Sequence, residues 1–138
     1  GGPNREKLLS YIKSNNLSKI VKIKNFTQNP YPYILKANLF ILSSLYEGLP
    51  NVLLESLALN RFVISSKCPT GPSEILDNNK GGLLFKVGDY NDLISKVLFF
   101  NSKRKECEKK LKYARKRLQR FNYDKNLEKY YNLVKSVM

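Results

Sequence analysis

The sequence predicts an α/β fold with a parallel sheet, and three short apolar runs are the main reason. Leu39–Ser43, Arg61–Ser65 and Gly81–Phe85 are each bounded by turn residues or polar segments, which is typical of buried strands. A helix is predicted from about Pro50 to Leu59, directly after a Gly-Pro turn. Strand, turn, helix and strand make one βαβ unit, and the run at Leu39–Ser43 is expected to be fully buried within it.

The remaining elements follow from local patterns. An apolar stripe predicts a helix over Asn4–Asn16, and alternation predicts a strand over Ile20–Lys24. A short helix is expected at Tyr33–Ala37, after a loop punctuated by prolines, and a helical turn at Ser73–Leu76. Asp89 is a suitable N-cap for the helix that follows the third strand.

The last 38 residues differ from the rest in charge. Residues 101–138 contain thirteen Lys and Arg against four Asp and Glu, so +9 of the total charge of +14 lies there. Two amphipathic helices are predicted, because apolar residues recur at helical spacing. The residues of the two stripes are Cys107, Leu111, Ala114, Leu118 and Phe121, and then Leu127, Tyr130, Tyr131 and Val134. These helices either pack on their own domain with solvated basic backs or bind an anionic membrane or a partner.

The composition excludes several chemistries. The chain has no His, so a Ser-His-Asp triad and a Cys-His dyad are excluded, and no cluster has the spacing of a metal site. Cys68 and Cys107 follow no disulfide pattern and are interpreted as buried or idle thiols. No apolar run approaches the ~20 residues of a membrane span. Catalysis is left to carboxylates, amides, hydroxyls and basic groups.

Two carboxylates, Glu47 and Glu55, stand eight positions apart across the Gly-Pro turn. The turn follows a strand and begins a helix, and open α/β sheets bind anionic ligands at this place because helix N–H groups and the helix dipole face the pocket. Carboxylates beside such a site suit a ligand with phosphates and hydroxyls, such as a nucleotide sugar. The alternative is that Glu55 only complements the helix dipole and that Glu47 is a surface charge.

The segment Ser43-Ser-Leu-Tyr-Glu-Gly-Leu-Pro-Asn-Val-Leu-Leu-Glu55, followed by Phe62-Val-Ile-Ser-Ser66, closely resembles the donor site of GT-B glycosyltransferases. More narrowly, it is similar to the large retaining family numbered four, which has two Glu separated by seven residues at this turn. Cys68-Pro-Thr-Gly-Pro-Ser-Glu74 resembles the family's next donor-side loop, and Arg120-Phe-Asn-Tyr123 resembles the segment before its terminal helix. The resemblance implies a partial Rossmann-like sheet from the C-terminal half of a GT-B enzyme.

The resemblance also implies roles for these residues. Glu47 would be the catalytic carboxylate that orients the donor sugar, and Glu55 would accept from the ribose hydroxyls. The remaining donor-binding residues would shape the diphosphate pocket and the sugar side of the site. They are Gly48, Leu49, Pro50, Asn51, Val52, Gly71, Pro72 and Glu74. Such enzymes need no metal and no cofactor beyond the nucleotide-sugar substrate.

The chain departs from the family pattern at its beginning. Gly1-Gly-Pro-Asn4 resembles a turn that normally follows two strands, an Arg and a Lys, and Asn25 stands where Gly is usual. The expectation is that two strands and the acceptor-binding N-terminal domain are missing. The open sheet edge at Leu39–Ser43 would then be covered by a companion chain or a second copy.

The predicted function is transfer of a sugar from a nucleotide-diphosphate sugar, expected to be a UDP-sugar, to a polysaccharide or lipid-linked acceptor with retention of configuration. Residues 1–100 would be the partial donor-binding domain and residues 101–138 basic helices packed on it. The fragment alone is expected to be inactive, and to be cytoplasmic or peripheral on the inner membrane face. The alternative function is a small basic binding module whose tail binds an anionic membrane or nucleic acid. Nucleic acid is not the expected partner, because aromatic and basic residues do not alternate as in a single-strand platform.

Overall fold

The computed structural model describes residues 2–137, so Gly1, the first residue of the Gly-Gly-Pro-Asn turn, lies outside the described residues. The chain divides into two compact units, residues 1–32 and 33–138. The helices and strands of the described residues follow one another in this order: α1 Arg5–Ser14, α2 Tyr31–Lys36, β1 Leu39–Leu42, α3 Asn51–Ala58, β2 Phe62–Ser66, α4 Pro72–Ile75, β3 Leu83–Phe85, α5 Tyr90–Ser102, α6 Arg104–Arg117, a 3₁₀ helix Leu118–Phe121 and α7 Tyr123–Ser136.

The three strands form one parallel sheet in the order β1-β2-β3, which confirms the predicted fold class. Leu39 pairs with Phe62, and Ile64 pairs with Leu83. The expectation of a fully buried first strand is wrong, since Ile41 is 40% exposed and the rest of β1 is half-buried. Within the described residues β1 is an edge strand with β2 as its one neighbour, and an edge strand has less of its surface covered.

The central strand β2 divides the core of the second unit between the two faces of the sheet. All five of its residues are buried. Val63 lies in a cluster with side chains of α3, α4 and α6, whereas Phe62 and Ile64 lie in a second cluster with Phe100 and Cys107. Successive side chains of a strand point to opposite faces, so this division follows from the alternation along β2.

The helices after the sheet differ in how far they are buried. Asp89 caps α5 as predicted, with its side chain accepting from the backbone N–H of Asp92 at 2.9 Å. Helix α6 packs on the sheet through Cys107 and Ala114, both buried. None of the described residues of α7 is buried. No helix in residues 2–137 is both long enough and apolar enough to cross a bilayer.

The first unit contains α1, which begins one residue later than predicted, and a segment without regular structure. The strand predicted over Ile20–Lys24 is wrong, because no described residue of this segment is in a strand. Ile20 is 80% exposed, and the backbone N–H groups of Ile20 and Val21 donate to the carbonyl of Leu17 in a turn. An alternating pattern forms a strand only where another strand supplies backbone partners.

Candidate functional site

Two loops leave neighbouring strands at the same edge of the sheet. Residues 43–50 connect the carboxyl end of β1 to α3, and residues 67–71 connect the carboxyl end of β2 to α4. Because β1 and β2 are parallel partners, both loops lie at one edge. Most of the predicted site residues are in these loops or in the first turns of the helices that follow, which is where open α/β sheets bind ligands.

Glu47 is half-buried in the first loop, and its carboxylate is held by a neighbour. The hydroxyl of Ser44 donates a hydrogen bond of 2.6 Å to Oε1 of Glu47. A short bond to an ionised acceptor is among the stronger hydrogen bonds in proteins. This contact orients the carboxylate by one of its two oxygens and leaves lone pairs of the other for a ligand.

A small polar network beneath the loop holds Ser44 itself. The hydroxyl of Ser66, at the end of β2, donates to the carbonyl oxygen of Ser44 at 2.6 Å, and the thiol of Cys68 donates to the same oxygen at 3.3 Å. Cys68 is 2% exposed. Its burial is as predicted, whereas the contact of its thiol with Ser44 was not predicted. The signal in the sequence is the position of Ser44 and Ser66 at two strand ends.

The second loop is fastened directly to the first. The hydroxyl of Thr70 donates to the backbone carbonyl of Glu47 at 2.6 Å. Gly71, with φ of 82°, lies so close that a Cβ atom there would be 1.9 Å from the carbonyl oxygen of Gly48 and 2.7 Å from Cδ of Pro50. Only glycine fits this backbone approach. The structure thus brings together Glu47, Gly48, Pro50 and Gly71.

The N-terminus of α3 lies near the carboxyl ends of the strands, and among the described residues no side chain caps it by a hydrogen bond. Pro50 is the N-cap residue, and Asn51 and Val52 begin the helix. The first N–H groups of a helix have no partner in the helix itself, and together with the dipole they favour an anion. Glu55, half-buried, lies one turn beyond Asn51 on the same face of α3. Leu49 is 46% exposed beside them.

Glu74 lies in α4, which begins at the buried Pro72, but its side chain is exposed. No hydrogen bond among residues 2–137 joins any two of the carboxylates of Glu47, Glu55 and Glu74. The backbone carbonyl of Glu74 accepts from the guanidinium of Arg120 at 2.9 Å. Within the described part of the chain, no three His, Cys, Asp or Glu side chains are arranged to hold a metal ion.

A charged cluster follows α4. The hydroxyl of Tyr113 donates to Oδ2 of Asp77, and this hydrogen bond is the largest cause that lowers the pKa of Asp77. The positive charges of Lys80, Arg117 and Arg120 lower that pKa further, while desolvation opposes them. The same hydrogen bond raises the pKa of the Tyr113 hydroxyl. Sequence reasoning missed this cluster, because its residues are far apart in the chain.

The family model for glycosyl transferases group 1 matches residues 1–117. The chain belongs to this family. The match includes both loops, all ten predicted site residues and the whole of α6, so the prediction of a glycosyltransferase made from the turn at Glu47–Glu55 is confirmed.

Curated relatives of this group 1 chain are longer glycosyltransferases. An uncharacterized glycosyltransferase of Methanocaldococcus jannaschii is 44% identical over 75 residues, covering 54% of the chain and 18% of the relative. N-acetylgalactosamine-N,N'-diacetylbacillosaminyl-diphospho-undecaprenol 4-alpha-N-acetylgalactosaminyltransferase of Campylobacter jejuni is 36% identical, covering 67% and 25%. Poly(ribitol-phosphate) alpha-N-acetylglucosaminyltransferase of Staphylococcus aureus is 27% identical, covering 98% and 28%. The chain therefore spans about a fifth to somewhat over a quarter of the length of these relatives.

Solved glycosyltransferases have the same fold over almost the whole chain. S. aureus TarM, in a complex that includes UDP, superposes with a TM-score of 0.83 at 26% identity over 96% of this group 1 chain and 27% of TarM. HepE of Anabaena in complex with UDP superposes with a TM-score of 0.85 at 18% identity, covering 95% and 36%, which shows the fold. These neighbours confirm the predicted α/β fold of a GT-B glycosyltransferase.

Proposed function

We propose that this chain is the donor-binding part of a glycosyltransferase that transfers a sugar from a nucleoside diphosphate sugar, with UDP as the nucleotide. The observation that carries the proposal is the uncapped N-terminus of α3 at the carboxyl end of β1, with Glu47 in the loop before it and Glu55 one turn into the helix. A diphosphate matches the helix N–H groups and dipole, and ribose and sugar hydroxyls match the two carboxylates. The UDP in the TarM complex supports the same ligand class.

The residues take the following parts in this proposal. The N–H groups of Asn51 and Val52 stabilise the diphosphate as it leaves, and the dipole of a helix is worth about 0.3–1 kcal/mol to such a charge. Glu55 accepts from the ribose hydroxyls. Glu47, oriented by Ser44, accepts from the donor sugar and faces the positive charge that develops at the anomeric carbon. Glu74 completes the sugar side, and the chain supplies these groups without a metal or another cofactor.

The finer features of the reaction extend this proposal. The bond between the anomeric carbon and the phosphate oxygen breaks, and the nucleoside diphosphate leaves. The departing phosphate takes the proton of the acceptor hydroxyl, whose oxygen bonds the anomeric carbon on the same face, which retains the configuration. The names of the Campylobacter and Staphylococcus relatives support a lipid-linked or polymer acceptor. An acceptor-binding domain, in the same polypeptide or a companion chain, completes the enzyme, and the isolated chain is inactive. We place the enzyme in the cytoplasm, on the inner face of the membrane.

A titration followed by NMR tests the proposed function directly. UDP should shift the amide signals of residues 48–55 in a saturable manner, because their N–H groups contact the diphosphate and ribose. Uridine, which differs from UDP only in lacking the diphosphate, is the matched control and should shift these signals much less at the same concentration. Shifts confined to the basic residues 103–120 would contradict the proposal, since they would show only that phosphates meet positive charge.

The second candidate function is binding of an anionic membrane by the C-terminal helices, and a specific observation favours it. The apolar stripe of α7 is uncovered in the second unit: Leu127 is 54%, Tyr130 69%, Tyr131 59% and Val134 54% exposed. Amphipathic helices with aromatic and aliphatic residues on one face lie in the interface of a bilayer, and neighbouring basic residues strengthen binding to anionic lipids. This function is compatible with the first, because a lipid-linked acceptor lies at such a surface.

A further inference from the structure

The turn that follows α4 has an unusual backbone. Asp77, Asn78 and Asn79 have φ angles of 46°, 50° and 77° in succession. The left-handed region is normally visited by single residues, and a run of three persists only where the surroundings hold it. This turn connects α4, which contains Pro72 and Glu74, to β3.

One face of α6 and the following 3₁₀ helix holds this turn. The side chains are Lys110, Tyr113, Arg117 and Arg120, spaced by three, four and three residues, and we name them the turn clamp. Lys110 donates to the carbonyl of Asn79 at 2.7 Å, and Tyr113 donates to the carboxylate of Asp77. Nε of Arg117 lies 3.7 Å from the same carboxylate.

Arg120 is the member of the turn clamp that reaches the candidate site. It is half-buried, and its guanidinium donates to the carbonyl oxygens of Glu74 at 2.9 Å and Ile75 at 3.4 Å. Its own carbonyl accepts from the side-chain amide of Asn126 at 3.0 Å, which ties it to α7. A guanidinium at the last carbonyls of a helix complements both the unpaired oxygens and the dipole.

The segment from Thr70 to Asn79 is therefore held at both ends. Thr70 and Gly71 fasten its beginning to Glu47 and Gly48, and the turn clamp fastens its end. Helix α4 has four residues, too few to hold its own direction. The side chain of Glu74 projects from this short helix, so its position depends on what the two ends contact.

From this geometry we propose that Arg120 is a positioning residue for Glu74: by binding the last carbonyls of α4 it sets where the Glu74 carboxylate meets the donor sugar. The inference rests on the proposed function and deepens it. It assigns sugar recognition, rather than nucleotide recognition, to the contact between the 3₁₀ helix and α4. The basic face that α6 and the 3₁₀ helix share thereby has a role within the site, through Arg120, as well as a solvated surface.

The test measures affinities for UDP, UDP-glucose and UDP-N-acetylglucosamine by NMR titration of the full chain. Arg120→Ala should weaken binding of the preferred UDP-sugar about tenfold, the effect of losing one charge-assisted hydrogen bond from Glu74. Binding of UDP should stay within about twofold, because Arg120 contacts no residue assigned to the nucleotide. Arg115→Ala, at an exposed position of α6, is the matched control and should change neither affinity.

Two further variants keep the inference falsifiable. Arg120→Lys retains the charge but loses the guanidinium Nη2 that donates to both carbonyls, and it serves if Arg120→Ala does not fold. Arg120→Ala on a Glu74→Gln background should add little further loss of UDP-sugar affinity. The reason is that Arg120 is proposed to act only through the contact between the Glu74 carboxylate and the sugar, which Glu74→Gln has already weakened. A folded Arg120 variant that weakens UDP and UDP-sugar equally, or neither, overturns the inference while the proposed function stands. A wild-type chain that binds no nucleotide overturns the proposed function and this inference with it.

Discussion

The hydroxyl of Thr70 donates a 2.6 Å hydrogen bond to the backbone carbonyl of Glu47, which joins the loops that follow two neighbouring strands. The backbone of Gly71, the next residue, lies close to Gly48 and Pro50. The position of Glu47 is thus determined by contacts from β2 and its loop as well as by its own turn. Substitutions in the second loop should therefore change the position of Glu47 in the first loop.

Gly71→Ala should destabilise the fold strongly. The new Cβ would stand 1.9 Å from the carbonyl oxygen of Gly48, at a φ of 82° that disfavours side chains. We expect a loss of about 1–2 kcal/mol from the backbone conformation and a further ~1–3 kcal/mol from the clash. Gly88→Ala is the matched control, since Gly88 has a φ of 76° with no atom within 4 Å of its Cβ position. Urea unfolding of both variants measures the difference, and equal losses would show that the loops do not approach so closely.

Glu55→Ala and Glu47→Ala should separate nucleotide from sugar recognition. Glu55→Ala should weaken UDP binding about tenfold or more, because it removes the ribose acceptor. Glu47→Ala should leave UDP binding nearly unchanged and weaken binding of a UDP-sugar. NMR titrations measure the affinities for UDP and for the UDP-sugar. The affinity of the wild-type chain for UDP is expected in the ~millimolar to high-micromolar range. Glu106→Ala, an exposed carboxylate of α6, is the control. Loss of UDP binding on Glu47→Ala would reverse the two assignments.

The stability of the chain should depend on Asp77 in acid. The hydrogen bond from Tyr113, helped by Lys80, Arg117 and Arg120, lowers the pKa of Asp77 in the folded state. A lowered folded pKa contributes stability above the unfolded value, and that stability is lost as the pH falls through the folded pKa. Between pH 6 and pH 2, the melting temperature of Asp77→Asn should therefore fall less than that of the wild type. At pH 6 the melting temperature of Asp77→Asn should be lower than that of the wild type.

The control for this pH dependence is Asp124→Asn, at an exposed position in the first turn of α7. This variant should follow the wild type throughout, apart from the shared effect of the chain's positive charge in acid. Tyr113→Phe removes the hydrogen bond that is the largest cause of the lowered pKa of Asp77. The melting temperature of this variant should therefore depend less on pH than that of the wild type, as expected for Asp77→Asn. Wild-type behaviour of Tyr113→Phe would assign the shift to the basic residues instead.

Vesicle binding should depend on both charge and the apolar face of α7. Each basic residue near an anionic surface is worth about 1 kcal/mol, and salt screens the attraction. Co-sedimentation with vesicles of 30% phosphatidylserine should be appreciable at low salt and largely lost at ~1 M. Leu127→Ser with Val134→Ser keeps every charge and should weaken binding at low salt. Equal binding to neutral vesicles, or none to anionic ones, would reject a membrane as the partner of this surface.

The edge of β1 should associate with another strand. Within the described residues β1 pairs with β2 on one side, so its other row of backbone groups has no strand beside it. We predict dimerisation, or assembly with a companion chain, through this edge. Sedimentation should show a concentration-dependent mass, and alternate amides of residues 39–42 should gain protection from hydrogen exchange as the dimer forms. A stable monomer with all these amides protected would contradict the prediction.

The local sequence was sufficient for the elements around the site. Asn51–Ala58 forms the helix predicted after the Gly-Pro turn, and Phe62–Ser66 forms the buried strand, because each combines a consistent apolar pattern with clear end signals. Asp89 caps α5 by a contact three residues away, which needs no knowledge of the rest of the fold. The Gly-Pro turn likewise predicts from the local sequence that Glu47 precedes α3 and that Glu55 lies in its first turns.

The sequence by itself thus determined the fold class, the order of most elements and the turn that separates Glu47 from Glu55, since these depend on neighbours in the chain. The tertiary structure decided the rest. Ile20–Lys24 has the alternation of a strand but no partner, and β1 is apolar but lies at an edge. The bond from Thr70 to Glu47 and the contact from Arg120 to Glu74 join residues 23 and 46 positions apart. Such contacts depend on how the sheet and helices pack, and no local pattern specifies that packing.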